Sequence, residues 1–178
     1  MKDGSGSRRR EQRGGSVETH SRPSERARQV AVIGSGHAEL GSELAQLGEE
    51  VGRLLAEADA TLVCGGMSGV MEAACRGATE AGGVAIGIVP GNDVSEANPF
   101  CTHVVATGIG HARNLAVAAS GDAVIAVGGS WGTLAEIGFA MRLGRPVAVL
   151  EGGPAVEGVP RAATPSEAVD RVLGALGR

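Results

Sequence analysis

The 178-residue sequence has one lysine, at position 2, and no tyrosine. The missing lysines exclude two large classes of enzyme. Without a Gly-Lys-Ser/Thr element there is no Walker-type phosphate loop. Without a lysine beyond position 2 no Schiff base can anchor pyridoxal phosphate in a folded region. Aromatic residues make up 2% of the chain, so the core implied by 43% apolar residues must be built from Val, Ala, Leu and Ile packed around Gly. Cys64, Cys75 and Cys101 are far apart in sequence and lack CxxC spacing. No zinc or disulfide framework follows, and they read as buried free thiols of a reducing compartment. The N-terminal residues contain no apolar h-region, and no apolar stretch reaches membrane-spanning length. These absences predict a soluble cytoplasmic protein with no membrane partner, no metal and no bound cofactor.

Charge is divided unevenly. Residues 1–28 hold eight Lys or Arg against four acids, and residues 29–178 hold eight Arg against sixteen acids; +4 and −8 give the net −4. The first stretch is rich in Gly, Ser, Arg and Glu and has no apolar period, which predicts a disordered basic tail. The remainder, 29–178, is long enough for one domain. Its acidic balance makes it a poor general surface for nucleic acid.

What is abundant is glycine, with 30 residues in clusters that have no repeat period. Each cluster follows a short apolar run. QVAVIG (29–34), ATLVCGG (60–66), VAIGIVPG (84–91), THVVATG (102–108), DAVIAVGG (122–129) and RPVAVL (145–150) read as six strands. Helical patterns lie between them, over 42–58, 69–83, 111–120 and 132–143, and a last helix covers 166–176 with Ser166 as its cap. Along 42–58, Leu44, Leu47, Val51, Leu54, Leu55 and Ala58 form the apolar face, with Glu49 and Arg53 one turn apart on the wet side. Residues 151–165 read as loop. Apolar strands alternating with helices predict an α/β domain: a single, Rossmann-like, doubly wound parallel sheet with helices on both faces. Ligands of such sheets bind beyond the carboxyl ends of the strands, where the glycines fall.

Three loops stand out: Gly34-Ser35-Gly36, Gly65-Gly66 with Gly69, and Gly129-Ser130 with Gly132 and Thr133. Glycine lets backbone approach a ligand, and the helix start after each loop offers free N–H groups and partial positive charge. Their convergence predicts a cradle for a phosphorylated small molecule. A nicotinamide fingerprint does not fit. Glu39 stands where the third glycine of G-x-G-x-x-G belongs, and Cys64-Gly65-Gly66 where an acid should hold the ribose.

CGGMSGVMEAACRGATEAGGVAIGIVP (64–90), GHARN (110–114) and GGSWGTLAE (128–136) follow the order and spacing of the LOG family, the cytokinin-riboside monophosphate phosphoribohydrolases often misnamed lysine decarboxylases. The resemblance spans about 29–150. It implies that Gly132 and Thr133 match the Gly-Thr of the family signature, that Glu136 matches its acid, and that Arg113 matches the arginine upstream. Gly128, Ser130 and Asn114 depart from it, standing for a proline, a glycine and a lysine. In this the chain looks more like a bacterial branch of the same superfamily, near proteins similar to molybdenum-cofactor carriers. The resemblance implies hydrolysis of the N-glycosidic bond of a nucleoside 5′-monophosphate to free base and ribose 5-phosphate. Its alternative is a non-catalytic carrier or sensor of a nucleotide or molybdopterin-type ligand. It also implies a homo-oligomer, at least a dimer.

The candidate catalytic residues are therefore Glu136 and Arg113. Gly34, Ser35, Gly65, Gly66, Gly69, Gly129, Ser130, Gly132 and Thr133 are the candidate ligand-binding set. Glu136 is expected in the first turn of its helix, where it would also offset the helix dipole. Ser130 and Thr133 can serve as helix caps as well as ligand contacts. Trp131 fits the flank of a ligand or a dimer seam equally. His37 and His111 lie near the same loops, while Met67 and Met71 read as packing residues, Glu72 as solvent-facing and Asp122 as structural.

From sequence alone, deletion of residues 1–28 should leave the melting temperature unchanged. A fall of several degrees in a thermal melt would show that part of this stretch packs on the fold.

Overall fold

In a computed structural model, which describes residues 26–150 and 152–177, the alternation of apolar runs and helices resolves into one sheet. The elements in chain order are β1 (Gln29–Gly34), α1 (Glu43–Glu57), β2 (Thr61–Cys64), α2 (Val70–Glu80), β3 (Ala85–Val89), β4 (His103–Ala106), α3 (Arg113–Ser120), β5 (Ala123–Val127), α4 (Trp131–Arg142), β6 (Val147–Leu150), β7 (Arg161–Ala162) and α5 (Pro165–Leu176). The strand order is β4-β3-β2-β1-β5-β6-β7, and every pairing is parallel. The chain moves outward from β1 to β4, then returns to β5 on the other side of β1. That reversal is the switch point of a doubly wound sheet, where adjacent crossovers leave to opposite faces and open a crevice.

Alternate residues of the central strands feed two cores. Val30, Val32, Leu62, Ile125 and Val127 pack under α1, α2 and α5. Ala31, Ile33, Val63, Val124 and Ala126 pack under α3 and α4 through Val117, Ile137 and Ala140. With few large aromatics to fill space, helices come close. A Cβ on Gly52 would lie 2.0 Å from the Ala74 carbonyl oxygen, and one on Gly77 would lie 1.9 Å from that of Glu49. This seam explains why the buried stripe of α1 is Ala45, Gly48, Val51, Gly52 and Leu55, while Leu44, Leu47 and Leu54 pack only partly against the core. The small residues sit where α2 approaches most closely.

Three local readings are corrected. Arg53 pairs with Glu50, at 2.6 Å, and with Glu57, not with Glu49; Glu49 turns across the seam to Arg76. The cap of α5 is Thr164, whose hydroxyl accepts from Glu167 N–H at 3.2 Å while Glu167 accepts from Ala163 N–H at 2.9 Å. With Pro165 at the first helical position, the cap falls on Thr164 rather than Ser166. The segment read as loop over 151–165 contains β7, a two-residue strand too short for any alternation signal.

Most of the 1–28 stretch lies outside the described residues. Its last part is bonded to the sheet, which corrects the tail boundary read at residue 28, and deletion of 1–28 would remove these bonds: Thr61 N–H donates to the Arg28 carbonyl at 2.8 Å. Arg26 donates two hydrogen bonds to Asp122, at 2.8 and 2.5 Å, and Asp122 also accepts from Gln29 N–H at 2.9 Å. Asp122 thus serves the structural role read for it, by tying the start of β1 to β5. Among the described residues no helix is long and apolar enough to cross a membrane.

Gly77→Ala tests the seam. Helix propensity alone would favour the substitution by about 1 kcal/mol, whereas forcing a methyl into a backbone carbonyl costs roughly 1–3 kcal/mol or more. The expected result is a net loss in urea unfolding; a net gain would show that the helices can part freely.

Candidate functional site

The three glycine loops meet above the switch point. A Cβ on Gly34 would lie 2.2 Å from the Val127 carbonyl oxygen, so glycine there lets the ends of β1 and β5 close on each other. Val70 N–H donates to the Ser35 carbonyl at 2.9 Å, and the Ser68 hydroxyl donates to that of Gly36 at 3.0 Å, joining the loops after β1 and β2. Between these loops and the start of α4 lies a cleft of about 250 Å³. Its walls are Ile33, Gly34, Ser35, Gly36, His37, Gly65, Met71, His111, Arg113, Asn114, Ser130, Gly132, Thr133 and Glu136. A wider groove of about 490 Å³ between α1 and α2 is lined by helix-surface residues. Arg53, Glu50 and Glu57 there are ion-paired among themselves.

Of the candidate set, Gly34, Ser35, Gly65, Arg113, Ser130, Gly132, Thr133 and Glu136 face one space. Gly66, Gly69 and Gly129 lie outside the lining. The backbone of Gly69, at φ +72°, packs so tightly on the first loop that a Cβ would lie 2.4 Å from the Ser35 carbonyl oxygen. Gly129, at φ +102°, leaves space for Thr133, whose Oγ1 would be 2.0 Å from a Cβ. Gly132 differs from both: a Cβ there meets nothing within 4 Å and would project into open space. Asn114 and Met71 join the lining without having been read as contacts. Met71 also packs partly on the core, so the packing role hid the other. His37 and His111, flagged only by their nearness to the loops, both line the cleft.

Arg113 opens α3 with its guanidinium buried, at 8% exposure. It lies directly over Gly65, where a Cβ would be 2.5 Å from Nη1. Nη1 donates to Asn114 Oδ1 at 2.9 Å, and Nε is buried without a hydrogen-bond partner. The nearest carboxylate oxygen, on Glu136, is 3.8 Å from Nη1, beyond hydrogen-bond reach. Burial lowers the Arg113 pKa despite the opposing effect of Glu136.

Glu136 is buried, at 7% exposure, in the second turn of α4 rather than the first. Dipole compensation falls off within one turn and does not account for it there. Burial pushes its carboxyl up to about 7, against the pull of Arg113. The group is therefore shared between acid and base near neutral pH. Ser130 occupies the cap position of α4 without a side-chain capping bond, so the first-turn N–H groups of that helix have neither an intrahelical partner nor a cap. Trp131, the first residue of α4, is 84% exposed.

Residues 27–172 match the pattern of the SLOG cluster4 family, most of the chain. The chain belongs to the SLOG cluster4 family. A protein of Archaeoglobus fulgidus, described only as uncharacterized, is 41% identical over 142 residues, which is 80% of this chain and 92% of that one. Two solved structures share the fold. One is the molybdenum cofactor binding protein of the phototrophic bacterium Rippkaea orientalis, with 28% identity, a TM-score of 0.79, and coverage of 85% of this chain and 99% of that one. The other is the molybdenum cofactor carrier protein of Chlamydomonas reinhardtii, with 30% identity, a TM-score of 0.76, and coverage of 86% and 100%. The SLOG cluster4 chain thus shares its sheet and switch point with proteins that hold a small-molecule cofactor.

A raised carboxyl has a thermodynamic signature. Between an unfolded value near 4.5 and a folded value near 7, the folded protein holds a proton that the unfolded chain has released. Its stability is full below the lower value and declines as pH rises through the upper one. Glu136→Gln removes that decline. The variant should match wild type near pH 4.5 and exceed it by on the order of 3 kcal/mol at pH 8, in denaturant unfolding at both pH values. A pH-independent difference would mean that the Glu136 carboxyl titrates alike in the folded and the unfolded protein.

Proposed function

We propose that the protein binds a phosphorylated small molecule of nucleotide or molybdopterin type in this cleft and carries it without turnover. The observation that supports this best is the buried, incompletely neutralised guanidinium of Arg113 facing the uncapped start of α4. A buried cation with an unpartnered donor is costly unless an anion completes it. A phosphate bridging Arg113 and the N–H groups of Gly132 and Thr133 would satisfy both ends with charge-assisted bonds. The space open at Gly132 gives the phosphate close approach. A cleft of about 250 Å³ holds the phosphorylated end of such a ligand and leaves its ring system to extend toward the exposed rim at Trp131, His37 and His111.

Carriage is favoured over hydrolysis on two grounds. Asn114 stands where the hydrolase signature has a lysine, and its side-chain oxygen engages Arg113, so the site has one fixed cation rather than two. The solved relatives of 28–30% identity are described as cofactor binding and carrier proteins.

One observation favours a second reading. Glu136, poised near pH 7, is suited to steady an oxocarbenium-like transition state or to activate water. On this reading the protein is a nucleotide phosphoribohydrolase, and Glu136→Gln would cut base release by on the order of 10² or more while binding persists. A homodimer accompanies both readings, seated on α3 and α4, where Leu115, Trp131, Phe139 and Met141 are exposed.

The deciding experiment pairs a stability measurement with a product assay. AMP or GMP at one hundred times its dissociation constant should stabilise the protein by about 2.7 kcal/mol, with the parent nucleosides far less effective. Arg113→Ala should lose most of the gain. Gly132→Val should lose it without harm to the fold, because its side chain meets only the cleft. Chromatography of the same mixtures should find no free base. Base released by wild type and not by Glu136→Gln would establish the hydrolase reading instead, and equal stabilisation by nucleosides would overturn the phosphate cradle.

A further inference from the structure

Three cysteines that are 11 and 26 residues apart in sequence meet in space. Cys64 ends β2, Cys75 lies on the buried face of α2, and Cys101 lies on the segment leading into β4. The Sγ atoms of Cys64 and Cys75 are 3.4 Å apart and those of Cys75 and Cys101 are 3.7 Å apart. All three sulfurs lie within 4.8 Å of one another. Thiolates at about 2.3 Å from one ion stand about 3.8 Å apart in tetrahedral geometry and about 4.0 Å apart in trigonal geometry. Shifts of a few tenths of an ångström would bring the pairs to that spacing.

Two donors reach the buried sulfurs. Gly66 N–H donates to Cys64 Sγ at 3.3 Å, and Asn98 Nδ2 lies 3.8 Å from Cys75 Sγ. Such donors temper thiolate charge around a metal. Asn98 also donates to the Gly66 and Met67 carbonyls, at 3.2 and 3.0 Å, which fixes the Cys101 segment against the loop after β2. Gly87 makes room for the third sulfur, since a Cβ there would lie 2.6 Å from Cys101 Sγ. Among the described residues, no histidine or carboxylate joins the three thiols as a fourth ligand.

We propose that Cys64, Cys75 and Cys101 form a three-thiolate site for a soft monovalent cation, Cu(I). Three sulfurs without a fourth donor suit trigonal Cu(I), whereas structural zinc takes four protein ligands. Each thiol that coordinates releases its proton to solvent. This site is distinct from the anion cleft, and the proposal does not rest on the function proposed for that cleft.

The test uses the full chain, reduced and metal-free, with three thiols titrated in denaturant. Cu(I) is supplied anaerobically as its acetonitrile complex against the chromogenic chelator bicinchoninate. One Cu(I) per chain should be withheld from the chelator, with X-ray absorption reporting sulfur-only coordination. Cys101→Ser, at the most exposed of the three, should weaken retention by 10²-fold or more; so should Cys75→Ala, which keeps the buried position small and apolar. Gly87→Ala, which keeps all three ligands, should weaken it less, by displacing Cys101. Circular dichroism and melting curves establish that each variant is folded. Retention unchanged in folded Cys75→Ala or Cys101→Ser overturns the site, as does a chelator that strips wild type as readily as the variants. Zn(II) displacing Cu(I) at equal concentration would overturn it too.

Discussion

A guanidinium buried at the carboxyl edge of the sheet sets the terms for its surroundings. Arg113 can lie there only because residue 65 has no side chain: the space a Cβ would fill is taken by Nη1 and Nη2. It can enter α3 at its first residue, where the helix dipole opposes a cation, only because Asn114 accepts from it and Glu136 lies across the cleft. None of these contacts completes it. Folding places a cation in low dielectric with one donor unpartnered, an arrangement that weakens the apo protein and favours any anion able to fill the cleft. The same logic explains why the loops around it carry glycine. Some of those glycines make room for a ligand, and others let three loops close on one another.

Glu136 shares this tension. A carboxyl pushed up to about 7 by burial is a liability in a fold otherwise assembled from Val, Ala and Ile, and Gln would fill the same volume without it. Natural proteins retain such groups most often where chemistry or binding needs them. For a carrier, a carboxyl that takes a proton as an anionic ligand arrives prevents two negative charges from facing each other. For a hydrolase, the same group is an acid–base catalyst. The residue is compatible with both, so the choice rests on Arg113 and Asn114.

The fold was largely legible because its signals were redundant. Each apolar run that ends in glycine is a strand of a parallel sheet, and QVAVIG coincides with β1 to the residue. What escaped was short or relational. β7 has two residues and no period. The α1 stripe was read incompletely because hydrophobicity ranks leucine above glycine, while the α1–α2 seam selects for absence of volume. The candidate cleft was legible at its centre, since the Gly-Thr and the acid of the 128–136 stretch and Arg113 do face it. It was less so at its margins. Nothing in the sequence separates Gly132, which opens on the cleft, from Gly129, which makes room for Thr133. The spacing of the cysteines hid their meeting, because three separate elements of the sheet and its helices bring them together.

Cys64, Gly65 and Gly66 place two sites back to back. Gly65 is the floor under Arg113, and Gly66 donates to the Cys64 sulfur. Charge on Cys64 is felt by Arg113 as a stabilising field. Three neutral thiols contribute no net charge; three thiolates around Cu(I) contribute −2. At an effective dielectric of about 20, unit charges separated by a few ångströms interact by on the order of a few kcal/mol. A loaded thiol site would therefore satisfy part of the positive field that otherwise draws an anion into the cleft, and the two ligands would oppose each other. Thermodynamic linkage makes that opposition reciprocal: an anion seated on Arg113 would weaken the metal by the factor that the metal weakens the anion. A single three-residue strand end, with no side chain at two of its positions, is what brings the two fields close enough to compete.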